Sequence, residues 1–366
     1  MIELNDTILR DKTFGSLISV FVGDAMGLPV ESFSPANIRT LFGYIDKMVT
    51  NRHRPHKSIS SCPIGTISDD SQLTLALMSS LAKGYNLNDI KNAHVAAWQG
   101  KWGRPVGWGG STKSAVQDML DNTWKPRPFN SAGNGTCMKI APLAIFCVYR
   151  CRTTPHKRFT NSFNASLFKK CREITELTHG DPRCIVATYC QARMVIRAIQ
   201  NEIPLEPDKI ADMFISDAKY AESKLNVLWP QDGLLSDRLK WILKTRFSLK
   251  FDPDIAASPE DVKISNFDLD TARVSVSICS CQSSYIMNSY PLVAYCVCKY
   301  FGYRNFMKAV TETVNAGADA DSNGSMTGSI IGGHLGQRNI PISIFRQVKN
   351  HTVLLKEVEQ FWRAIK

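Results

Sequence analysis

The 366-residue sequence has no pair of cysteines at the C-x₂-C spacing of zinc modules, although it contains eleven cysteines. Its two closest pairs, Cys279/Cys281 and Cys296/Cys298, are each separated by a single residue. Most of the other cysteines fall within apolar helical patterns, where the side chain acts as a small hydrophobic group. The spacing argues against a zinc module, and we expect the thiols to be reduced.

Long apolar runs and a leader-like start are also missing. The best apolar run, residues 140–149, is too short to cross a bilayer as a helix. Residues 1–6 lack the basic and apolar regions of a signal peptide. We therefore expect an intracellular protein without a membrane segment, located in the cytoplasm or, as a second option, in the nucleus.

Alternating strand patterns are scarce. Hydrophobic residues make up 44% of the chain and charged residues 21%, which is the composition of an ordinary globular protein. Apolar residues recur instead at helical spacing along most of the sequence. The sequence therefore predicts an all-α protein.

Positive charge is in excess, but no nucleic-acid-binding signature accompanies it. The chain has 44 Lys and Arg against 33 Asp and Glu, a net charge of +11 that favours anionic partners. Much of the excess lies in residues 150–172. Zinc-finger, RNP-type and helix-turn-helix motifs are absent from the sequence. We interpret the segment as a solvated loop, with a nucleic-acid-binding surface as the less favoured alternative.

The most informative stretch is an acidic loop that runs into a glycine-patterned helix. Asp319 and Asp321 are two positions apart and Ser322 follows, so that all three side chains can reach one centre. Hard oxygen donors of this kind suit Mg²⁺, Mn²⁺ or Ca²⁺, although a plain helix N-cap is the commoner structure. Glycines then recur at every fourth position, which allows another backbone to approach closely. They are Gly324, Gly328, Gly332 and Gly336.

A second acidic helix start occurs earlier in the chain. Ser68 is a suitable N-cap for an apolar helix, and Asp69 and Asp70 suit the positive end of its dipole. Two adjacent carboxylates repel each other, and a divalent cation is one way to offset the repulsion. Together with the later acidic loop, this start supplies four carboxylates and two hydroxyls, enough oxygen for two divalent ions completed by water.

Residues 14–27 form a buried-helix pattern with a small residue at every fourth position, and this helix should pack against another glycine-rich one. Pro29 ends it, because the residue before a proline is pushed out of the α region. Glu31 then stands at a bend after a rigid element. There it serves either as a catalytic carboxylate or as a surface acid.

Two glycine-rich loops, residues 104–112 and 131–136, each precede a helix pattern. Backbone N–H groups in such loops can hold a phosphate together with the start of the following helix. Neither loop is a Walker A motif or a dinucleotide fingerprint, and each also fits a plain turn. His179, between two further helix patterns, either lines a site or stabilises a turn.

Taken in order, these motifs resemble those of the ADP-ribosylglycohydrolase family. Residues 23–27 with Glu31 resemble its first helix and the glutamate that follows. Residues 68–71 resemble its Thr-Asp-Asp-Thr, residues 133–139 its Gly-Asn-Gly-x-x-Met-Arg, and residues 317–322 its Gly-Gly-Asp-x-Asp-Thr. The chain departs from the family pattern at several of these positions. Serine replaces threonine at Ser68 and Ser322, Lys139 replaces arginine and Ala318 replaces glycine.

The resemblance implies one domain over residues 1–366, a compact orthogonal helical bundle with two Mg²⁺ or Mn²⁺ ions at its centre. It implies a monomer that hydrolyses the bond at C1″ of the distal ribose and so removes ADP-ribose from a protein or another conjugate. A non-catalytic ADP-ribose-binding protein is the alternative. The implied catalytic residues are Glu31, on a mobile segment, Asp69 and Asp70. The implied metal ligands are Ser68, Asp69, Asp70, Asp319, Asp321 and Ser322, with Asp321 between the ions. The implied substrate-binding residues are Gly109, Ser111, Asn134, Gly135, Met138 and His179.

Overall fold

The computed structural model describes residues 5–127, 131–152, 160–246, 269–278 and 284–366. All regular secondary structure within these ranges is helical, and no strand forms there, which confirms the all-α prediction. The α-helices, numbered α1 to α17 in chain order, are Asp6–Gly27, Pro35–Phe42, Lys57–Ser60, Asp69–Leu81, Leu87–Trp98, Gly110–Leu120, Ala141–Arg152, Asn161–Glu176, Pro182–Ile199, Pro207–Glu222, Leu235–Lys240, Leu269–Ile278, Ile286–Tyr300, Phe306–Asn315, Ala320–Leu335, Ile342–Phe345 and His351–Ile365.

Helices α1 and α15 lie side by side at the centre of the fold, with their glycine stripes facing each other. A Cβ atom placed on Gly324 would lie 2.8 Å from the carbonyl oxygen of Gly23. One placed on Gly328 would lie 2.7 Å from the carbonyl oxygen of Ser19. The two backbones are therefore in direct contact. This arrangement confirms the prediction that each helix packs against a glycine-rich partner.

The two central helices are antiparallel, and this direction decides where the acidic motifs meet. Gly15 of α1 lies against Gly332 of α15, whereas Gly27 lies against Ala320. The end of α1 and the start of α15 are consequently at the same end of the pair. Glu31, shortly after α1, and Asp319, just before α15, are thereby brought close together.

Helix α1 is long enough to span a membrane, a length that the sequence pattern did not indicate. Residues 6–30 are long and apolar enough to cross a membrane by length and composition alone. The most apolar window of this stretch is fully buried inside the protein. Glycine and serine interrupt the apolar run in the sequence, which is why counting uninterrupted residues missed it. In this fold the stretch is a core helix.

Pro291 lies inside a helix, where a proline usually interrupts the hydrogen-bond pattern. Helix α13 continues through Pro291, which is fully buried with its neighbours. A proline inside a helix frees the carbonyl four residues earlier, here that of Met287. The Nε atom of Arg238 donates a hydrogen bond to this carbonyl oxygen at 3.3 Å. A side chain distant in sequence thus satisfies the group that the proline leaves open.

Two basic segments contain helices, and one of them, residues 150–172, was predicted to be a loop. Residues 51–63 include the short helix α3, and the predicted loop continues into α8. On α8, Lys169 and Arg172 pair with acids one turn further along, Glu173 and Glu176. Residues 153–159 and most of the polar loop expected at 251–270 lie outside the described residues.

The contact between α1 and α15 leads to a stability prediction. Gly328→Ala should destabilise the protein by about 1–3 kcal/mol, because the new methyl group meets backbone that cannot move aside. Gly333→Ala is the matched control on the same helix, since its Cβ would sit 3.4 Å from that of Ser16, an ordinary contact. It should be neutral or stabilising by up to about 1 kcal/mol through helix propensity. Denaturant unfolding of both variants measures the difference, and equal effects would contradict the proposed packing constraint.

Candidate active site

Three helix ends bring the predicted acidic residues together. The start of α4 carries Asp69 and Asp70, and the start of α15 carries Asp321, with Asp319 as its N-cap. All four carboxylates are buried, none more than 7% exposed. Ser68 caps α4 as predicted, and its hydroxyl accepts from the backbone N–H of Asp70 at 3.3 Å. The two acidic helix starts therefore converge on one centre, although they are about 250 residues apart in the sequence.

Asp24, on α1, is a further buried acid that the sequence analysis did not assign to the site. Its carboxylate accepts hydrogen bonds from the backbone N–H groups of Ser68, at 2.9 and 3.0 Å, and of Ser71, at 3.1 Å. It thus anchors the N-terminus of α4 to α1. The sequence did contain one signal for this role. An acid within a buried helix with a glycine stripe must have polar partners, because burying an unpaired charge is costly.

Two groups of carboxylates are close enough to hold metal ions. Oxygens of Asp24, Asp70 and Asp321 lie within 4.8 Å of one another, and so do oxygens of Glu31, Asp319 and Asp321. Asp321 belongs to both groups. The Oδ1 atom of Asp70 is buried and has no hydrogen-bond partner among the described residues. An orphaned carboxylate oxygen among hard oxygen donors fits a divalent cation such as Mg²⁺ or Mn²⁺.

The electrostatics of the cluster favour the same interpretation. Burial, and then the neighbouring carboxylates, raise the pKa of Asp69 to about 8 and hold the pKa of Asp321 well above its usual range. Burial also raises the pKa of Asp24 to about 6, against the hydrogen bonds from Ser71 and Ser68 that lower it. Without cations, several of these groups resist ionisation at neutral pH. A divalent ion would reverse this preference.

Glu31 is held at the edge of the cluster by two sets of contacts. The guanidinium of Arg54 donates to the Glu31 carboxylate and to its backbone carbonyl. The N–H of Ser32 donates to the carbonyl of Ala318 at 2.6 Å, and the N–H of Ala318 donates to Phe33 at 2.9 Å. The segment after Glu31 is thus tied to the acidic loop. Sequence patterns gave no sign of Arg54.

Ala318 shows why the departure from the family glycine matters. Its φ angle is +57°, in the left-handed region that glycine adopts without strain. A non-glycine residue there costs roughly 1–2 kcal/mol. The strain lies directly beside Asp319. Its neighbour Gly317, at φ +71°, has no room for a side chain, because a Cβ would collide with the carbonyl of Phe33.

The predicted substrate loops line a cavity of about 150 Å³ above the carboxylates. The His179 ring lies against the loop, since a Cβ on Gly135 would come 2.9 Å from its Cε1 atom. The Asn134 amide donates to Asp319 at 2.5 Å, a contact with a predicted ligand that the sequence did not suggest. Ser68 and Asp70 lie beneath the cavity rather than in its lining. The predicted residues that line it are Glu31, Asp69, Gly109, Ser111, Asn134, Gly135, Met138, His179, Asp319, Asp321 and Ser322.

Lys139, which replaces the family arginine, is buried below the cavity. Its Nζ lies 3.0 Å from the Nε2 atom of His94, whose Nδ1 lies 2.8 Å from the carbonyl oxygen of Ile90. A neutral imidazole that donates from Nδ1 and accepts at Nε2 satisfies both contacts. Burial lowers the pKa of Lys139 to about 7, although Asp69 nearby favours the charged form. At neutral pH lysine therefore supplies only part of a positive charge near the cluster, and it lacks the two-pronged geometry of arginine.

An all-α fold in which three helix ends direct carboxylates to one cavity defines a helical protein with a candidate metal centre. Comparison with known proteins makes the class specific. The family model for ADP-ribosylglycohydrolase matches residues 5–366. The chain belongs to the ADP-ribosylglycohydrolase family, which confirms the resemblance and supports hydrolysis of ADP-ribose from an acceptor.

The similarity to individual relatives is low in sequence identity but extends over most of the chain. The chain is 24% identical over 340 residues to ADP-ribosyl-(dinitrogen reductase) glycohydrolase of Rhodospirillum rubrum, covering 91% of this chain and 88% of that protein. It is 22% identical over 330 residues to an uncharacterized protein of Archaeoglobus fulgidus, covering 88% of each. A solved chain described as an ADP-ribosylglycohydrolase-related protein complex superposes with a TM-score of 0.63 at 17% identity. That match covers 98% of this chain and 100% of the other, and shows the same fold.

The electrostatics of the cluster predict how metal and pH act together. Added Mg²⁺ or Mn²⁺ should raise the melting temperature, and the rise should grow between about pH 5 and pH 8, because binding requires ionised carboxylates. At 100-fold excess over the dissociation constant the stabilisation is about 2.7 kcal/mol. The sign follows from the raised pKa of Asp69: its protonated form favours folding at low pH, and this contribution is lost as the pH rises towards 8. Thermal melts with metal and with chelator, across this pH range, measure the effect.

Two variants test whether the cluster is the source. Asp321→Asn should stabilise the metal-free protein and reduce the metal-induced rise in melting temperature. Asp217→Asn is the control, since Asp217 is also buried but pairs with Arg197 and Arg193 instead. It should destabilise the protein with and without metal, leaving the metal-induced rise unchanged. Equal behaviour of the two variants would count against a metal centre at Asp321.

Proposed function

We propose that this protein is a metal-dependent hydrolase that removes ADP-ribose from a modified acceptor by cleaving the bond at C1″ of the distal ribose. The observation that carries the proposal is the pair of carboxylate groups sharing Asp321 beneath a cavity lined by glycine loops. The shared carboxylate is suited to lie between two divalent ions. Ions held there would supply Lewis-acid polarisation of the ribose oxygens and of an attacking water.

The side chains of this protein divide the remaining work. Glu31 is suited to carry a proton, because burial and the Asp319 charge raise its pKa to about 7, near the pH at which it would act. Its carboxylate also lies close enough to Asp319 and Asp321 to bind an ion. The two roles make different predictions for Glu31→Gln.

The glycine loops are suited to hold the pyrophosphate and the ribose. Gly109, the N-cap of α6, and Ser111 in its first turn line the cavity, and a helix start of this kind is suited to bind an anion. On the opposite wall, burial lowers the pKa of His179 to about 3, so its ring is neutral. With Nδ1 engaged by Thr178 at 2.8 Å, its Nε2 atom faces Gly133 and remains for a ligand oxygen.

A modified protein is the acceptor that the comparisons support first. The name of the Rhodospirillum rubrum relative gives dinitrogen reductase, a protein, as the carrier of the ADP-ribosyl group. A non-catalytic ADP-ribose-binding protein is the alternative. The retention of Glu31 together with every carboxylate of the cluster favours catalysis.

The direct test is release of ADP-ribose from arginine-linked and serine-linked protein substrates, assayed side by side with Mg²⁺, with Mn²⁺ and with excess chelator. We expect release from one linkage with metal and none with chelator. Undiminished release in chelator would exclude the metal mechanism. Tight binding of ADP-ribose without release from either substrate would support the non-catalytic alternative.

The role of Glu31 can be separated from that of Asp321. Glu31→Gln should retain metal and ADP-ribose affinity but lose roughly 10²- to 10⁴-fold in turnover, the usual contribution of a proton-transferring group. Asp321→Asn should lose metal and turnover together. Metal content by elemental analysis and turnover, measured on the same preparations, decide between the roles. Loss of metal from Glu31→Gln would assign Glu31 as a ligand instead.

A further inference from the structure

A groove of about 530 Å³ adjoins the candidate active site on the side of Glu31. It shares Glu31 and Gly107 with the cavity over the carboxylates, but neither residues 133–138 nor His179 line it. On the proposed function, on which this inference rests, those residues hold ADP-ribose. The groove therefore begins where the acceptor leaves the reacting carbon, beyond Glu31.

The walls of this acceptor groove carry more basic than acidic side chains. Apart from Glu31 and Ser32, they come from residues 54–59 and 98–113, two parts of the chain that contain no Asp or Glu. Arg54, His56 and Lys113 line the groove, the last two exposed. Among the described lining residues, Glu31 is the single carboxylate, and Arg54 pairs with it. The groove is thus suited to an anionic occupant.

Arg54 adds a second observation. The residue is only 6% exposed, and its Nε–H is buried without a hydrogen-bond partner among the described residues. Its other two nitrogens already serve Glu31. The guanidinium therefore carries more donor capacity than the protein uses, at the junction between the acceptor groove and the cluster.

A neighbouring depression of about 390 Å³ shares the lining residue Val106 with the groove. Lys101, Arg104 and Lys349 line that depression, against one acid, Glu357. Together the two hollows offer more room than a single modified side chain requires. This room suits an extended polypeptide, whose residues on either side of the modification would contact the walls.

The aromatic residues of the groove favour a peptide over a nucleic acid. Trp108 is buried, and its indole N–H donates to Gln72 at 2.7 Å. Trp98 is half-buried and packs against Trp108, with ring centroids 5.2 Å apart and planes tilted by 57°. Single-strand binding uses successive exposed rings as stacking platforms. This tilted and largely buried pair forms a wall instead.

We propose that the acceptor groove binds an acidic polypeptide segment next to the ADP-ribosylated side chain, and that Lys113 is a specificity-determining contact for it. The probes are two unmodified fluorescent peptides of equal length, one rich in Glu and one in which Lys replaces each Glu. The wild-type protein should bind the acidic peptide at least about tenfold more tightly, with affinity that falls as salt rises. An oligonucleotide of matched charge should bind more weakly than the acidic peptide.

Charge reversal at one exposed lysine tests the contact. Lys113→Glu should weaken binding of the acidic peptide by about tenfold or more and leave the affinity for free ADP-ribose unchanged. Lys113→Arg should retain peptide binding. Lys83→Glu is the matched control, since Lys83 is also exposed and lies just past the far end of α4, about 20 Å along that helix from the cluster. It should behave as the wild type.

Three results of the binding experiments would each overturn the inference. These are equal binding of the acidic and basic peptides, a loss of ADP-ribose affinity in Lys113→Glu that matches its loss of peptide affinity, and tighter binding of the oligonucleotide. None of them depends on turnover. Failure of the proposed hydrolysis would be seen separately. In that case, peptides that carry ADP-ribose on serine or arginine would be bound but not cleaved. Cleavage of modified peptides with equal kcat/KM for acidic and basic flanking residues would support the proposed hydrolysis. It would contradict the proposed binding of acidic segments in the groove.

Discussion

The direct backbone contact between α1 and α15 is the constraint on which the site depends. Where glycines meet, helix axes approach more closely than side chains would permit, and the relative position of the two helices is fixed to within a fraction of a residue. Asp24 near the end of α1 and Asp321 at the start of α15 are carried by this contact. A shift of one helical turn would separate them by about 5 Å, which is more than a shared ion tolerates.

The carboxylate cluster is stabilised from its surroundings rather than from within. The positive ends of the α4 and α15 dipoles face the acids, and serine hydroxyls and backbone N–H groups donate to them. Lys139 and Arg54 add positive charge from below and from the rim. These contacts offset only part of the cost of burying five acids within one small region. Bound cations would offset the remaining free-energy cost. The site that is suited to metal therefore destabilises the metal-free fold locally.

The same arrangement gives the site two distinct sides. Glycine loops and the neutral His179 lie on one side of the cluster, where few side chains compete for a phosphate. Basic and aromatic side chains lie on the other side, beyond Glu31. Glu31 lies between the two, and the hydrogen bonds of Ser32 and Ala318 connect its segment to the acidic loop. A movement of this segment would therefore affect the carboxylates and the acceptor groove together.

The sequence by itself determined the helical class, the glycine-to-glycine packing, the capping of α4 by Ser68 and the acids of the two helix starts. Each of these signals is short-range, since capping, helix dipoles and a four-residue period act within one or two turns. Only the tertiary structure decided the rest: that Asp24 anchors α4, that Asn134 donates to Asp319, that Arg54 holds Glu31, and that Arg238 allows α13 to continue through Pro291. These pairs join residues between 23 and 185 positions apart. No local pattern specifies such partners, because they are selected by the packing of whole helices and by the need to satisfy buried polar groups.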